Sequence, residues 1–190
     1  MTDKKRCSWS LSEPVYVDYH DLEWGVPDRE DKKQFEFLVL ESAQAGLSWL
    51  TILKRREGYR RLYAGFNVEQ VARFDEARIN TMLQDPGIIR NRKKIESSIN
   101  NAQRFLEIQD QFGSFYSYIW GFVDGLQVVN HFKEMSDIPA TTPLSDTLAK
   151  DMKQRGFRFL GSTTLYAHMQ ATGLVNDHLV SCFRHKECME

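Results

Sequence analysis

Nowhere do the 190 residues offer the ~20 consecutive apolar positions that a membrane-spanning helix requires. The opening stretch MTDKKRCSWS is basic but has no apolar run behind it, which argues against a secretory signal. Cysteine is scarce and odd in number, at positions 7, 182 and 188, a poor basis for a disulfide framework. Three thiols suit a reducing compartment where they serve metals better than disulfides, so a soluble cytoplasmic protein is expected. Net charge is also nearly absent, at −1, so no whole-molecule field draws the chain toward nucleic acid. Any polyanion contact must come from local patches, and two exist: five cations in KRREGYRR (54–61) and four in RNRKK (90–94). Each taken alone also fits a solvated helix face. Period-2 alternation, internal repeats and low-complexity tracts are lacking as well, which argues against β-rich and repeat architectures.

What is present is helical patterning joined by short turns. In DKKQFEFLVLESAQA (31–45), Phe35, Leu38, Val39, Ser42 and Ala45 fall on one stripe. Gly46 interrupts, and LSWLTILKRRE resumes as a largely apolar helix ending in charge. Asn67 and Asp75 stand as N-caps for the next two helices, with Ile79, Met82 and Leu83 turned inward on the second. An Asp-Pro-Gly turn at 85–87 precedes a helix with Ile95, Ile99, Ala102 and Leu106 on one face. Ser114 caps a short helix, Thr142-Pro143 or Ser145 opens another that Gly156 closes, and a last helix lies between Gly161 and Gly173. The fold class is all-α.

Three stretches carry chemistry. NDHLVSC (176–182) sets His178 and Cys182 four apart, a spacing that shares one face of a helix and suits half a metal site. His185 and Cys188 would complete it locally, and Cys7 and His20 would complete it across the whole chain. Fraying near the terminus weighs against Cys188 without deciding the matter. DPGIIRNRKK has the layout of a helix-hairpin-helix: Gly87 would let backbone amides approach a phosphate, and basic residues follow at the positive end of a helix dipole. Ile89 stands where such hairpins often carry a second glycine, and most Pro-Gly turns between helices are plain connectors. Finally, CSWSLSEPVYVDYHDLEWG concentrates Trp9, Tyr16, Tyr19 and Trp24, while LESAQAGLSW places Glu41 in an apolar helix ahead of Trp49. Aromatics are most often core. Around a half-buried carboxylate they also make a box for a flat, electron-poor ring, held by stacking and cation–π attraction.

Taken together and in order, these motifs closely resemble the 3-methyladenine DNA glycosylase I family. The resemblance runs from RCSW through DYHDLEWGVP, LESAQAGLSWLTILKRRE and DPGIIRNRKKI to TPLSDTLAKDMKQRGFRFLGSTTLYAHMQATGLVNDH. It implies an all-α helix-hairpin-helix glycosylase fold with one structural zinc tying the chain ends through Cys7, His20, His178 and Cys182. It implies excision of 3-methyladenine flipped out of double-stranded alkylated DNA, by a monomer in base excision repair. Glu41 is then the acceptor for the base, with Trp9, Tyr16, Tyr19 and Trp49 lining or stacking in the pocket. Gly46 and Leu47 wedge into the gap left by the base, and Gly87, Arg90 and Arg92 hold phosphates. The chain 1–190 would be a single glycosylase domain, with 1–34 and 140–190 forming a zinc-bearing lobe. Residues 35–139 would form a helical lobe with the hairpin at about 83–95.

Two departures bear on the chemistry. Asn91 stands where strand-cleaving relatives carry a nucleophilic lysine, so no lyase step is expected. Neither Asp110 nor Asp124 sits in a motif matching the catalytic aspartate of many such glycosylases. The competing readings are a non-enzymatic DNA-binding module with the aromatics as core, a glycosylase of shifted lesion preference, and a zinc hydrolase. Four protein ligands would deny the last an open position for water. His131 and His168 are read as ordinary surface or core histidines.

Overall fold

The computed structural model describes residues 4–189, so the start of the basic N-terminal stretch lies outside the described residues. Eleven helices dominate it. They are α1 (Pro14–Leu22), α2 (Asp31–Gln44), α3 (Trp49–Leu53), α4 (Arg56–Leu62), α5 (Val68–Val71) and α6 (Glu76–Gln84), then α7 (Arg92–Phe112), α8 (Phe115–Trp120), α9 (Pro143–Gln154), α10 (Ser162–Ala171) and α11 (Phe183–Glu187). One parallel ladder, β1 (Val128–Val129) against β2 (Val175–Asn176), is the only pairing among the described residues. It is too short to register as alternation in sequence.

Local chemistry sets most helix ends. Asn67, Asp75, Asn91, Ser114 and Thr142 each accept a backbone N–H of the first helical turn, and Thr142 with Ser145 closes a reciprocal capping box ahead of Pro143. Gly156, at φ 86°, and Gly173, at φ 70°, follow α9 and α10 in the left-handed region. At Gly173 a side chain would also collide with the Val26 carbonyl carbon, 2.2 Å from an ideal Cβ.

Helix α2 is the axis of the fold, packed by α3, α7, α8 and α10. Every residue from Gln34 to Ala43 is buried, so the expected single stripe is instead a helix covered on all sides, with Gln34, Glu36, Glu41 and Ser42 buried among its apolar residues. Ala45, assigned to that stripe, lies exposed beyond the helix end. The expected continuous helix over 47–57 breaks at Lys54–Arg55. The break turns α4 so that Arg56 forks onto Glu23 at 2.6 and 2.7 Å and donates to Glu36 at 2.7 Å. A large apolar cluster holds α2, α7, α8, α9 and α10 together. A second joins Cys7, Tyr19 and Trp24 from the N-terminal segment to Ala171, Leu179 and Cys182, with Phe37 and Leu53 between them.

Candidate active site and metal centre

Tyr16 and Tyr19 on α1, Glu41 on α2, Trp49 at the start of α3 and Trp9 on a 3-10 turn converge on one cleft of about 360 Å³. All five residues expected to read a base are therefore brought together. The rings brace one another: Trp9 stands edge-on to Tyr16 at 5.5 Å and to Trp24 at 5.1 Å, and Tyr19 lies 5.5 Å from Trp49. The Trp49 indole N–H is buried with no partner among the described residues.

Glu41 is 4% exposed, and its carboxyl accepts no hydrogen bond from any described residue. Burial pushes it up to about 8, so an empty cleft at neutral pH holds mostly the neutral acid. Burial, and then the charge of Glu41, push the Tyr19 phenol well up. The Tyr16 hydroxyl accepts the Leu50 N–H of α3 at 2.8 Å, which fixes its ring and leaves its own proton to donate into the cleft.

Several cleft residues escaped the sequence reading. Gln44, one turn after Glu41 on α2, was accessible from i, i+3 spacing. Trp24 was noted among the aromatics but given no role. Met135 and Ile138, from the turn after β1, and Ala167 and Gln170, on α10, carry no local signal, because chain segments distant in sequence deliver them.

The loop between α2 and α3 forms the lip of the cleft. Gly46 turns at φ 79°, with nothing within 4 Å of the place its Cβ would take, and Leu47 is 40% exposed. Lys94, in the first turn of α7, donates to the carbonyls of Ala43 at 2.8 Å and Ala45 at 2.6 Å, tying this loop to the hairpin. In the hairpin the Gly87 N–H is taken by Asp85 at 2.8 Å, and an ideal Cβ on Gly58 would lie 2.1 Å from the Gly87 carbonyl oxygen. That glycine thus serves a close crossing of α4 against the turn. Arg92 pairs with Glu76 at 2.8 Å, whereas Arg90 and Lys93 are exposed with no carboxylate partner among the described residues. The other basic run is largely paired with carboxylates of the same chain: Lys54 with Glu13 and Arg61 with Asp85 at the surface, and Arg56, half-buried, with Glu23 and Glu36.

The chain ends meet in a second cluster. One donor atom each from Cys7, His20, His178 and Cys182 lies within 4.8 Å of the other three, and all four residues are buried. His185 and Cys188 stay out of it; the His185 Nε2 contacts the Asn130 carbonyl at 2.8 Å. His178 and Cys182 do not share a helix face as their spacing suggested. They lie on the turn between β2 and α11, folded back where the Cys182 N–H reaches the Leu179 carbonyl at 2.7 Å. His20 Nδ1 donates to Asp21 at 2.7 Å and His178 Nε2 donates to the Trp24 carbonyl at 2.8 Å, so each imidazole turns its lone-pair nitrogen to the thiols. Arg6 forks onto Asp21 behind His20. Set beside each other, the two thiols are pushed apart in acidity: Cys7 is driven up, and Cys182, which also faces His178 and His20, is driven down. Gly25 leaves room for this arrangement, since its Cβ would lie 2.9 Å from His178 Cδ2. Two sulfurs and two imidazole nitrogens so disposed form a metal-binding donor set.

Comparison with known proteins agrees with this geometry. The profile of the methyladenine glycosylase family matches residues 9–185. The chain is 46% identical to DNA-3-methyladenine glycosylase 1 of Escherichia coli K12, over 94% of this chain and 95% of that one. It superposes on a crystal structure of 3-methyladenine DNA glycosylase I with a TM-score of 0.92, at 45% identity over 98% of this chain and 100% of that one. A Staphylococcus aureus 3-methyladenine DNA glycosylase I, solved to explain its 3-methyladenine recognition, superposes at 0.91 and 39% identity over 94% and 95% of the two chains. With likeness of this degree from end to end, the chain belongs to the methyladenine glycosylase family.

Proposed function

We propose that this protein is a DNA glycosylase that takes 3-methyladenine out of alkylated double-stranded DNA and hydrolyses its N-glycosidic bond. The observation that carries the reading is Glu41: a buried carboxyl with no hydrogen-bond partner among the described residues, in a cleft walled by five aromatic side chains. Such a group is costly unless a ligand completes it. A purine methylated at N3 does so, because its ring is cationic and its exocyclic amine donates to a carboxylate. Trp9, Tyr16, Tyr19 and Trp49 hold the cation by their faces, and Glu41 takes the N–H. The relatives named for 3-methyladenine support the same ligand.

The reaction asks little more of the protein. The bond from C1′ to the base nitrogen breaks with its electron pair going to the base, which cancels the ring's positive charge and lets it leave neutral. Water adds to C1′ of the resulting oxocarbenium sugar and gives up a proton. Carboxylate and aromatic faces next to the cationic base also favour this developing cation. The exposed Leu47 at the lip suits insertion into the gap left by an extruded nucleotide. The first turn of α7 offers cations where the helix dipole alone disfavours them, an arrangement suited to a phosphate held by Arg90 and Lys93 in a helix-hairpin-helix grip. Asn91 caps α7 through the Lys94 N–H at 3.2 Å and supplies no amine nucleophile, which supports a monofunctional enzyme.

The metal is read as one zinc ion with a structural role. Zn–S bonds of ~2.3 Å and Zn–N bonds of ~2.0 Å in a tetrahedron set sulfur and nitrogen about 3.5 Å apart. Three of the four sulfur–nitrogen separations in the cluster are 3.4, 3.6 and 3.8 Å. When bound, the ion would crosslink the chain ends, and four protein donors leave no place for a reacting water. The test is to incubate the protein with methylated duplex DNA and chromatograph the released bases. Free 3-methyladenine with uncut strands is expected. Zinc and DNA binding without any released base would overturn the reading in favour of a non-catalytic module.

A further inference from the structure

The side chain of Gln170, at the wall of the cleft, is held in one orientation. Its Nε2 donates to Asp177 at 2.8 Å. Asp177 is wholly buried and also receives the Tyr166 hydroxyl and, at 2.7 Å, the Asn130 amide. A carboxylate with three donors on it can only accept, so the nitrogen end of the Gln170 amide must face it. The oxygen end is thereby turned away. Gln170 Oε1 accepts from no described residue, and it is not among the buried polar atoms left without a partner. Because Gln170 lines the aromatic cleft, that oxygen is presented to whatever the cleft holds.

We propose that Gln170 is a specificity-determining residue: a second acceptor for the exocyclic amine of the bound base, kept carbonyl-inward by Asp177. The inference rests on the functional reading above and sharpens it. An acceptor that can rotate tells an amine from a carbonyl poorly, because a free amide simply presents its N–H₂ instead. A carboxylate clamp removes that freedom. A base with a carbonyl in place of the amine then sets oxygen against oxygen and leaves both unsatisfied in a largely dry site. Glu41 supplies charge, and Gln170 supplies discrimination that does not depend on charge.

The test compares 3-methyladenine with 3-methylhypoxanthine, which has a carbonyl in place of the amine and a ring N–H that goes with it, by quenching of tryptophan fluorescence in wild type, Gln170→Met and Asp177→Asn. Gln170→Met keeps the volume and loses the acceptor. It should weaken 3-methyladenine about fivefold and narrow its preference over 3-methylhypoxanthine, as expected for the loss of one hydrogen bond from the neutral free base while Glu41 remains. Asp177→Asn should narrow the preference while Gln170 remains, with unchanged zinc content showing that the neighbouring His178 is undisturbed. Unchanged discrimination in a folded Gln170→Met overturns the assignment. If the wild type releases no 3-methyladenine from methylated DNA, the functional reading falls and this inference with it. Release by the wild type together with unchanged discrimination in Gln170→Met removes only the role of Gln170.

Discussion

Glu41 carries the strongest consequences of any single residue. Burial raises its carboxyl from 4.5 to about 8, so across that interval the folded chain holds a proton that the unfolded chain has released. The stability this confers is complete below the lower value and lost as pH rises to the upper one. A cationic base prefers the anion, so activity should run the other way. We expect kcat/KM on methylated DNA to climb with pH through one ionisation near pH 8 and the climb to vanish in Glu41→Gln. A pH–rate profile of both proteins decides it. Glu41 was legible in sequence because a lone acid in LVLESAQAG contradicts its surroundings and so asks for a partner. Gln170 was not legible. It is uncharged, sits in unremarkable helix composition, and takes its meaning from Asp177, which a buried turn brings back to it.

Among the elements, the hairpin is held by an approach that only glycine allows. Gly58→Ala would place a methyl 2.1 Å from the Gly87 carbonyl oxygen. It should destabilise the fold by roughly 2–4 kcal/mol, measured by denaturant unfolding. Wild-type stability in that variant would mean that the α4–turn crossing is looser than described. The metal cluster makes a second demand. Cys182→Ser should lose bound zinc and melt roughly 10 °C lower, whereas Cys188→Ser should keep its zinc; metal analysis and calorimetry read both. Helix starts were legible wherever a side chain acts on its own backbone, as at Asn67, Asp75, Ser114 and Thr142. The break at Lys54–Arg55 was not, because no capping residue or proline marks it and it is distant carboxylates, on Glu23 and Glu36, that receive Arg56. NDHLVSC misled for a similar reason. Its spacing fits a helix, but residues 171–179 are buried at every position and run through a short strand.

For the molecule as a whole, a net charge of −1 is spread so that most of one basic run is paired with carboxylates of the same chain, while Arg90 and Lys93 stay open beside the cleft's lip. Lys94 ties lip to hairpin, and the N- and C-terminal segments close behind the aromatic wall through the four-residue cluster. Cleft, lip, the turn before α7 and the terminal cluster form one connected assembly built around α2. Its proposed activity turns on the unpartnered carboxyl of Glu41 reading the cationic base. The most direct measurement is single-turnover release of 3-methyladenine from methylated duplex by wild type and Glu41→Gln, with melting curves run alongside. At least about a tenfold loss of rate is expected in the variant, with a melting temperature no lower than wild type, since a charge-assisted hydrogen bond disappears while folding no longer has to protonate a buried carboxyl. Release at the wild-type rate by a folded Glu41→Gln would contradict it.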